Sequence, residues 1–202
     1  MSWSSIPDKA TGDVFTEAMW DTHIKDNGNS GYMRALGDSA PSATVTAITF
    51  TNISTLFAHL DINYSVKSDR ATPGDDLNIQ FNGDTATNYA FTYTQTAAAA
   101  VTAAEVIGST RIMVNPSIPT QAIDARLNGV GVIHIPHYQQ TLFYKNIIAE
   151  GSNEQGTATG TLYNSRAGGW WHSTAAITQV SLFPQNGAYS SGTRVTLYGR
   201  PT

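Results

Sequence analysis

Alternating apolar and polar residues dominate the chain after residue 40 and predict β-strands. In LDINYSVK every second residue is apolar, which places one set on one strand face: Leu60, Ile62, Tyr64 and Val66. The same period in DDLNIQF involves Leu77, Ile79 and Phe81. That run ends at Asn82-Gly83, a pair typical of two-residue hairpin turns. We therefore expect the chain to turn back and pair through TNYAFTYTQ.

Further alternating or β-rich segments predict six more strands, at about 110–115, 130–135, 140–149, 158–163, 176–183 and 193–198. The last one puts Val195 and Leu197 on one face, and we expect it to close a sheet beside AAITQVSLF. The alanine-rich run from Gln95 fits a short helix or a loop. Short strands separated by glycine, proline and asparagine predict a mainly β fold, an antiparallel β-sandwich of jelly-roll type.

The segment GDVFTEAMWDTHIKDNGNSG, near the N-terminus, predicts a short helix. Thr16 is a suitable N-cap and Gly28 a suitable stop, while Phe15 and Trp20 have the spacing of a hydrophobic staple. One short helix cannot bury its own apolar stripe, so we expect this arm to dock on another surface. Its predicted anchor residues are Trp3, Phe15, Trp20 and Ile24. We expect two units, an anchoring arm at residues 1–40 and a β-sandwich body at 41–202.

Composition narrows the classes of function. Only 13% of the 202 residues are charged, against about 25% in typical proteins, and the net charge is −4. Since the basic residues are scattered, we expect no nucleic-acid partner. Without cysteine, neither disulfides nor thiol catalysis is possible. We also expect no signal peptide and no membrane insertion, because no apolar run has the required length.

Candidate catalytic and metal-binding residues are few. His134 and His137 in HIPH lie at an odd spacing, which sends their side chains to opposite faces of an extended segment. Oxygen ligands of the kind calcium uses gather in PGDDLNIQFNGD, but turn chemistry explains them equally: Asp75, Asp76, Asn82 and Asp84. No phosphate loop, nucleophile elbow or zinc helix occurs. We therefore expect a protein that is not an enzyme and that uses no metal or cofactor.

Adjacent tryptophans in GGWWHS form the one aromatic feature that suggests a binding surface. Neighbouring residues on a strand face opposite sides, so one of Trp170 and Trp171 can be exposed and can contact a glycan or a protein partner. The alternative interpretation is structural: one ring fills the core while the other closes the edge of the sandwich.

Three segments together resemble structural proteins of tailed bacteriophages and prophages. GDVFTEAMWDTHIKDN is similar to an opening of the form "vlT…WN.HIrDN", with Asp21 where the family commonly has asparagine. ITFTNISTLFAHLDINYSVKSDR with LNIQFNGDTATNY resembles a central "I.f..I…y.hL.l…R" stretch followed by "FNGD…NY". AAITQVSLFPQNGAYSSGTRVTLYGRPT resembles a "GS.vtLYG" ending, with Thr193 where serine is common.

The resemblance implies a multi-copy virion structural protein, assembled in the host cytoplasm and exposed on the particle. A capsid decoration or head-fibre protein is the first expectation, with the major capsid protein or tail proteins as partners and a homo-oligomer, a trimer being favoured. The alternative is a tail-associated or receptor-binding protein that recognises a host-surface glycan through Trp170, Trp171 or the tyrosines near Tyr89 and Tyr93. A polysaccharide-cleaving enzyme is the third alternative.

Overall fold

The strands form two antiparallel sheets that share one apolar core. A computed structural model describes residues 33–122, 126–155 and 160–201, and in these ranges the chain forms twelve strands and no helix. The strands are β1 (Arg34–Ser39), β2 (Ile48–Phe50), β3 (His59–Val66), β4 (Asp75–Phe81), β5 (Tyr89–Ala97), β6 (Ala100–Ser109), β7 (Ile112–Ile118), β8 (Gly129–Ile135), β9 (Lys145–Gln155), β10 (Thr161–Trp171), β11 (Val180–Pro184) and β12 (Arg194–Arg200). The predicted helix and all four anchor residues lie outside the described residues.

The strand order divides these strands into an eight-stranded frame and two added hairpins. The frame consists of β1, β2, β3, β4, β7, β8, β11 and β12, and the added hairpins are β5–β6 and β9–β10. The large sheet has the order β1-β12-β3-β8-β9-β10-β5-β6, and the small sheet has the order β2-β11-β4-β7. Strands β1 to β4 alternate between the two sheets, beginning in the large one. Strands β7, β8, β11 and β12 also alternate, beginning in the small one. The hairpins β5–β6 and β9–β10 both extend the large sheet beyond β8. The mainly β, sandwich-like prediction is therefore confirmed.

The inward faces of the strands build the core, as the alternation predicts. The apolar sets of β3 and β4 are buried, and so are those of the last strand, Val195 and Leu197. Strand β7 packs across the sandwich against β5, β9 and β10. Burial of each large apolar side chain contributes about 1.5–3 kcal/mol, so this shared core holds the two sheets together.

The prediction of a hairpin at Asn82-Gly83 is wrong, although a tight turn does form at these two residues. Both residues have positive φ, 52° and 68°, and Asp84 N donates to Phe81 O at 2.9 Å. The chain then leaves the small sheet, since β5 pairs with β6 and β10 in the large one. Both edges of β4 are already occupied by β7 and β11, which leaves no place for β5 beside it.

The alanine-rich run forms a β-hairpin instead of the predicted helix or loop. Ala97 pairs with Ala100, and Ala98 takes a positive φ of 51° in the two-residue connection. Pairing with β10 overrides the helical preference of alanine, because β5 is paired with β10 along its whole length, as far as Ala97. Strand β6 is an edge strand whose residues are exposed on both faces through most of its length.

The C-terminal strand is ordered as predicted, but its partners differ from the expectation. Strand β12 lies inside the large sheet between β1 and β3. Strand β11, expected beside it, belongs to the small sheet. Val195 and Leu197 belong to the same buried core as Val180 and Leu182 of β11, but no ladder of hydrogen bonds joins the two strands.

Candidate functional site

Trp170 and Trp171 face opposite sides of β10. Trp171 is 3% exposed and packs on Tyr89 and Phe81, with ring centroids 6.3 and 5.7 Å away. Its Nε1 donates to Asp84 Oδ2 at 2.7 Å. Trp170 is 55% exposed on the outer face of the large sheet. Trp171 is therefore part of the core, and Trp170 is the ring available to a ligand.

The two tyrosines that the sequence suggested as glycan contacts lie on the inner face of β5. Tyr89 is fully buried, and its hydroxyl accepts from Phe81 N at 3.1 Å and donates to Asp84 O at 3.1 Å. Burial raises the pKa of Tyr89 to about 12. Tyr93 is half-buried and packs against the core. Because Ala90 and Thr92 face outward, the alternation along β5 points both tyrosine rings away from the outer face.

A cleft lies beside Trp170 on the outer face. Cross-strand pairing places Ala90 between Ile107 and Trp170, and these two large side chains stand about 10 Å apart, the width of two strand spacings. In the next row Thr92 lies between Glu105 and Gly168. Small residues thus form the floor and large ones the walls of a cavity of about 320 Å³, which His172 also lines.

Gly168 keeps the floor of this cleft open. A Cβ at this position would meet only Ile147 O, at 4.0 Å, so packing does not require a glycine here. Glycine in a strand weakens pairing and often marks a place where a ligand approaches closely. The alternation of β10 puts Gly168 on the same face as Trp170, a signal that the sequence contains and that sequence reasoning missed.

Two further depressions continue from the cleft across the sheet. The second, of about 220 Å³, shares Thr92 and Gly168 with the first and is bordered by Ile148 and Arg166. The third, of about 370 Å³, lies beyond Arg166 and Glu150. Its other outward-facing lining residues are Val130, Val132, Ser152 and Asn164. We call the three connected depressions the trough.

Exposed rings extend from Trp170 along one end of the sheet. His172 lies between Trp170 and Tyr144, with ring centroids 6.4 and 5.3 Å away. Phe143 precedes Tyr144 in the chain and contacts His137 edge-on, with ring centroids 6.4 Å apart. The exposed rings therefore form a row that leads away from the cleft.

The histidines of HIPH have separate environments. His134 Nδ1 lies 2.6 Å from Asp61 Oδ1, while Arg200 Nε donates to the other oxygen of that carboxylate at 3.0 Å. His137 instead contacts the ring of His59 at 4.7 Å. Burial and the nearby Arg200 lower the pKa of His59. Among the described residues no group of three or more histidines and carboxylates is arranged to hold a metal ion.

The four suggested calcium ligands are not brought together. Asp75 lies at the start of β4 and Asn82 beyond its end, which separates them by roughly 20 Å of strand. The buried Asp75 carboxylate accepts from Ser68 Oγ at 2.7 Å and from Asn186 N at 3.1 Å. Burial, and after it the charge of Asp75, raise the pKa of Asp76 to about 6.

Asn82 and Asp84 connect the β4–β5 crossover to neighbouring loops. Asn82 Oδ1 accepts from Thr178 N at 2.8 Å and from Gln179 N at 3.0 Å. Asp84 accepts from Trp171 and, at 3.0 Å, from Asn88 Nδ2. These hydrogen bonds give FNGD a structural role within the described chain.

Lys145 is a buried cation that sequence reasoning missed. It pairs with Trp171 across β9 and β10, and its Nζ donates to Phe143 O at 3.3 Å and to Thr174 O at 3.2 Å. Burial lowers the pKa of Lys145. The two carbonyls hold the ammonium in place beneath the row of exposed rings.

Comparison with known proteins gives no relative. No family model, no curated protein and no solved structure matches this chain. A search of the described residues for helices long and apolar enough to cross a membrane finds none.

Proposed function

We propose that this chain is a structural protein of a tailed-bacteriophage virion and that it is not an enzyme. The observation that carries the proposal is the sequence resemblance in three segments that follow one another in the order found in those proteins. Its central segment supplies β2, β3 and β4, and its C-terminal segment supplies β11 and β12. The resemblance thus falls on frame strands of both sheets, and the inserted hairpins lie outside it.

Residues within the resembling segments have framework roles. Gly199 of TLYG lies under the ring of Phe57 in STLFAHL, where a Cβ would overlap the ring. Thr193, at the position where serine is common, accepts a hydrogen bond from Lys67 N at 3.3 Å. Together with the bonds of Asn82 and Asp84, these contacts support a pattern that specifies a fold instead of a reaction.

We infer further that the frame is a jelly roll. The support is the strand order: β1-β12-β3-β8 faces β2-β11-β4-β7, and consecutive frame strands cross from one sheet to the other, except β4 and β7, which pair within the small sheet. Two sheets of four strands with this alternation are typical of jelly rolls, which are common in viral capsid proteins. Fold analogy alone does not define function, so the sequence resemblance remains the main support.

Our first assignment is a capsid decoration or head-fibre protein anchored by its N-terminal arm. The body would project from the particle, with the residues before β1 carrying the anchor. Since β1 is an edge strand of the large sheet, those residues join the body at its margin. A homo-oligomer, with a trimer favoured, remains a prediction; repeated copies on a symmetric shell would strengthen a modest contact through avidity.

Removal of residues 1–32 tests the anchor and leaves β1 intact. The truncated protein is added to particles that lack the chain, beside full-length protein and a full-length Trp20→Ala, Ile24→Ala variant. We expect the truncated form to lose attachment and the double variant to weaken it. Leu142→Ala, a change at an exposed body residue, is the matched control and should attach normally. Full attachment of the truncated form would refute the arm as anchor.

A second candidate function is recognition of a host-surface glycan by a tail-associated or receptor-binding protein. The specific observation in its favour is Trp170, exposed beside a cleft with a floor of small residues. Stacking of a sugar ring on an exposed indole is a common mode of glycan binding. Binding of the purified protein to host cells, and its loss in Trp170→Ala, would support this candidate.

A further inference from the structure

We propose that the trough binds a linear, electroneutral oligosaccharide, with Trp170 as the stacking surface and Gly168 as the open floor. This inference rests on the second candidate function and defines its ligand. It concerns the isolated body of the protein, so its failure would leave the virion assignment unaffected, and absence from virions would leave the trough unaffected.

The cleft has the shape that a sugar ring requires. The Trp170 indole and the Ile107 side chain form opposite walls, separated by the small Ala90. An indole offers a broad apolar surface with an electron-rich face, which suits the C–H groups on one side of a sugar ring. A Cβ-bearing residue larger than alanine at position 168 would rise from the floor next to that wall.

Polar groups along the trough suit a ligand that is rich in hydroxyls. Glu105 borders the first depression, and Arg166 and Glu150 form an exposed ion pair at 3.4 Å between the later ones. Asn164 and Ser152 lie beyond that pair. Exposed carboxylate, guanidinium and amide groups can each exchange water for a sugar hydroxyl.

The charges of the trough disfavour a polyanion. Glu105 and Glu150 carry two negative charges, and Arg166 carries one positive charge that is already paired with Glu150. An uncharged ligand avoids repulsion from these carboxylates, whereas a phosphate-rich polymer would meet them without a free cation among the trough residues just named. Charge complementarity therefore selects an electroneutral chain.

The length of the trough selects a chain over a single sugar. It crosses the outer face from β6 to β8, which spans four strand spacings, or about 19 Å. The second depression joins the other two by sharing Gly168 with the first and Arg166 with the third. Several sugar residues can then contact the protein in succession, and small gains at each position add up.

The Gly168→Val variant tests whether ligand binding requires the open floor of the trough, and the substitution removes no existing side-chain contact. Because a Cβ meets no atom closer than 4.0 Å, the variant should fold at least as well as the wild type, while its branched side chain blocks the trough. Asn63→Val is the matched control: it introduces the same side chain on the outer face of β3, outside the trough. Equal melting temperatures would establish that both variants are folded.

Binding is measured by titration calorimetry and by intrinsic tryptophan fluorescence, and the Trp170→Phe variant identifies the part of the signal that comes from Trp170 among the four tryptophans. The probes are tetrasaccharides of glucose and N-acetylglucosamine, their monosaccharides, and neutral polysaccharide released from the host envelope. We expect a tetrasaccharide or the envelope polysaccharide to bind and the monosaccharides to bind at least about tenfold more weakly. Gly168→Val and Trp170→Ala should each weaken binding by about tenfold or more, Trp170→Phe by less, and Asn63→Val not at all.

Three results would overturn the proposal. The first is no binding of any tetrasaccharide or envelope polysaccharide to the wild-type protein. The second is wild-type affinity in both Gly168→Val and Trp170→Ala. The third is attachment to host cells that protease treatment of the cells abolishes and that added envelope polysaccharide does not compete, because this would identify a protein as the partner of the surface.

Discussion

The ring of Phe57 lies directly on the backbone of Gly199, at the place where a side chain of residue 199 would begin. Phe57 precedes β3, and Gly199 is near the end of β12, so two segments far apart in the sequence fit together at this point. Ala58 N also donates to Arg200 O at 3.0 Å beside the ring. The contact fixes the C-terminal strand against the core.

Gly199→Ala should destabilise the protein by about 1–3 kcal/mol, the usual cost of overpacking a core. The added methyl group would overlap the Phe57 ring, and the ring or the strand would have to shift. Gly168→Ala is the matched control, since it adds the same methyl group on the same sheet where the space is open. Urea denaturation of both variants provides the comparison. Equal stability of the two would contradict the packing described here.

The hydrogen bond from Trp171 to Asp84 joins β10 to the crossover between β4 and β5, and we expect it to stabilise the folded protein. In Asp84→Ala the buried indole N–H loses its acceptor, and we expect a loss of about 1–3 kcal/mol. Asp38→Ala removes a carboxylate that binds Arg194 at the exposed edge and should cost only about 0–1 kcal/mol. Thermal unfolding measures both. A double-mutant cycle with Trp171→Phe should show coupling at Asp84 and none at Asp38.

Asp76 should make stability depend on pH between about 4 and 6. Its pKa is raised to about 6 in the folded chain, so the folded state binds this proton more tightly than the unfolded state. The resulting stabilisation is complete below the unfolded pKa and disappears as the pH rises through the folded pKa. Because Asp76 is partly exposed and solvent screens its charge, Asp76→Asn should raise stability at pH 7 by only about 1 kcal/mol, and it should change stability little below pH 4.

Denaturation of the wild type and Asp76→Asn across pH 3–8 checks the sign of this effect. The difference in unfolding free energy between the two proteins should grow as the pH rises from about 4 to about 6 and should level off above that. A difference that stays constant with pH, or one that shrinks on raising the pH, would show that folding does not raise the pKa of Asp76.

Hydrogen exchange should distinguish the two ends of the large sheet. Amides of 195–198 in β12 are paired on both sides, so we expect them to exchange only through global unfolding. Amides of 101–105 in β6 lie on an exposed edge, and those that point outward should exchange rapidly. Mass spectrometry of peptides from each strand gives the rates. Rapid exchange throughout 195–198 would contradict the position of β12 inside the sheet.

The sequence predicted strands well wherever one face is buried. In β3 and β4 the period of two follows directly from burial of one face, so the apolar residues could be assigned before the structure was known. Strand partners were harder, because pairing depends on residues distant in sequence. The Asn82-Gly83 turn illustrates this: its local geometry was predictable, whereas the occupation of both edges of β4 was not.

The candidate site was predictable only in part. Alternation indicated that one tryptophan of the pair would be exposed, but it could not say which one. The identity followed from the burial of Trp171 beside Tyr89 and Asp84. The cleft itself needed the sheet order, because Ile107 reaches the same surface only through the unexpected β5–β6 hairpin.

Electron microscopy of purified particles tests the central claim most directly. Particles released from the cells that encode this chain are labelled with an antibody raised against its β body and imaged. A virion structural protein should give label at repeated positions on the particle, on the head lattice for a decoration or head-fibre protein and on the tail for the second assignment. Particles that carry no label, and from which mass spectrometry recovers no peptide of this chain, would contradict the account.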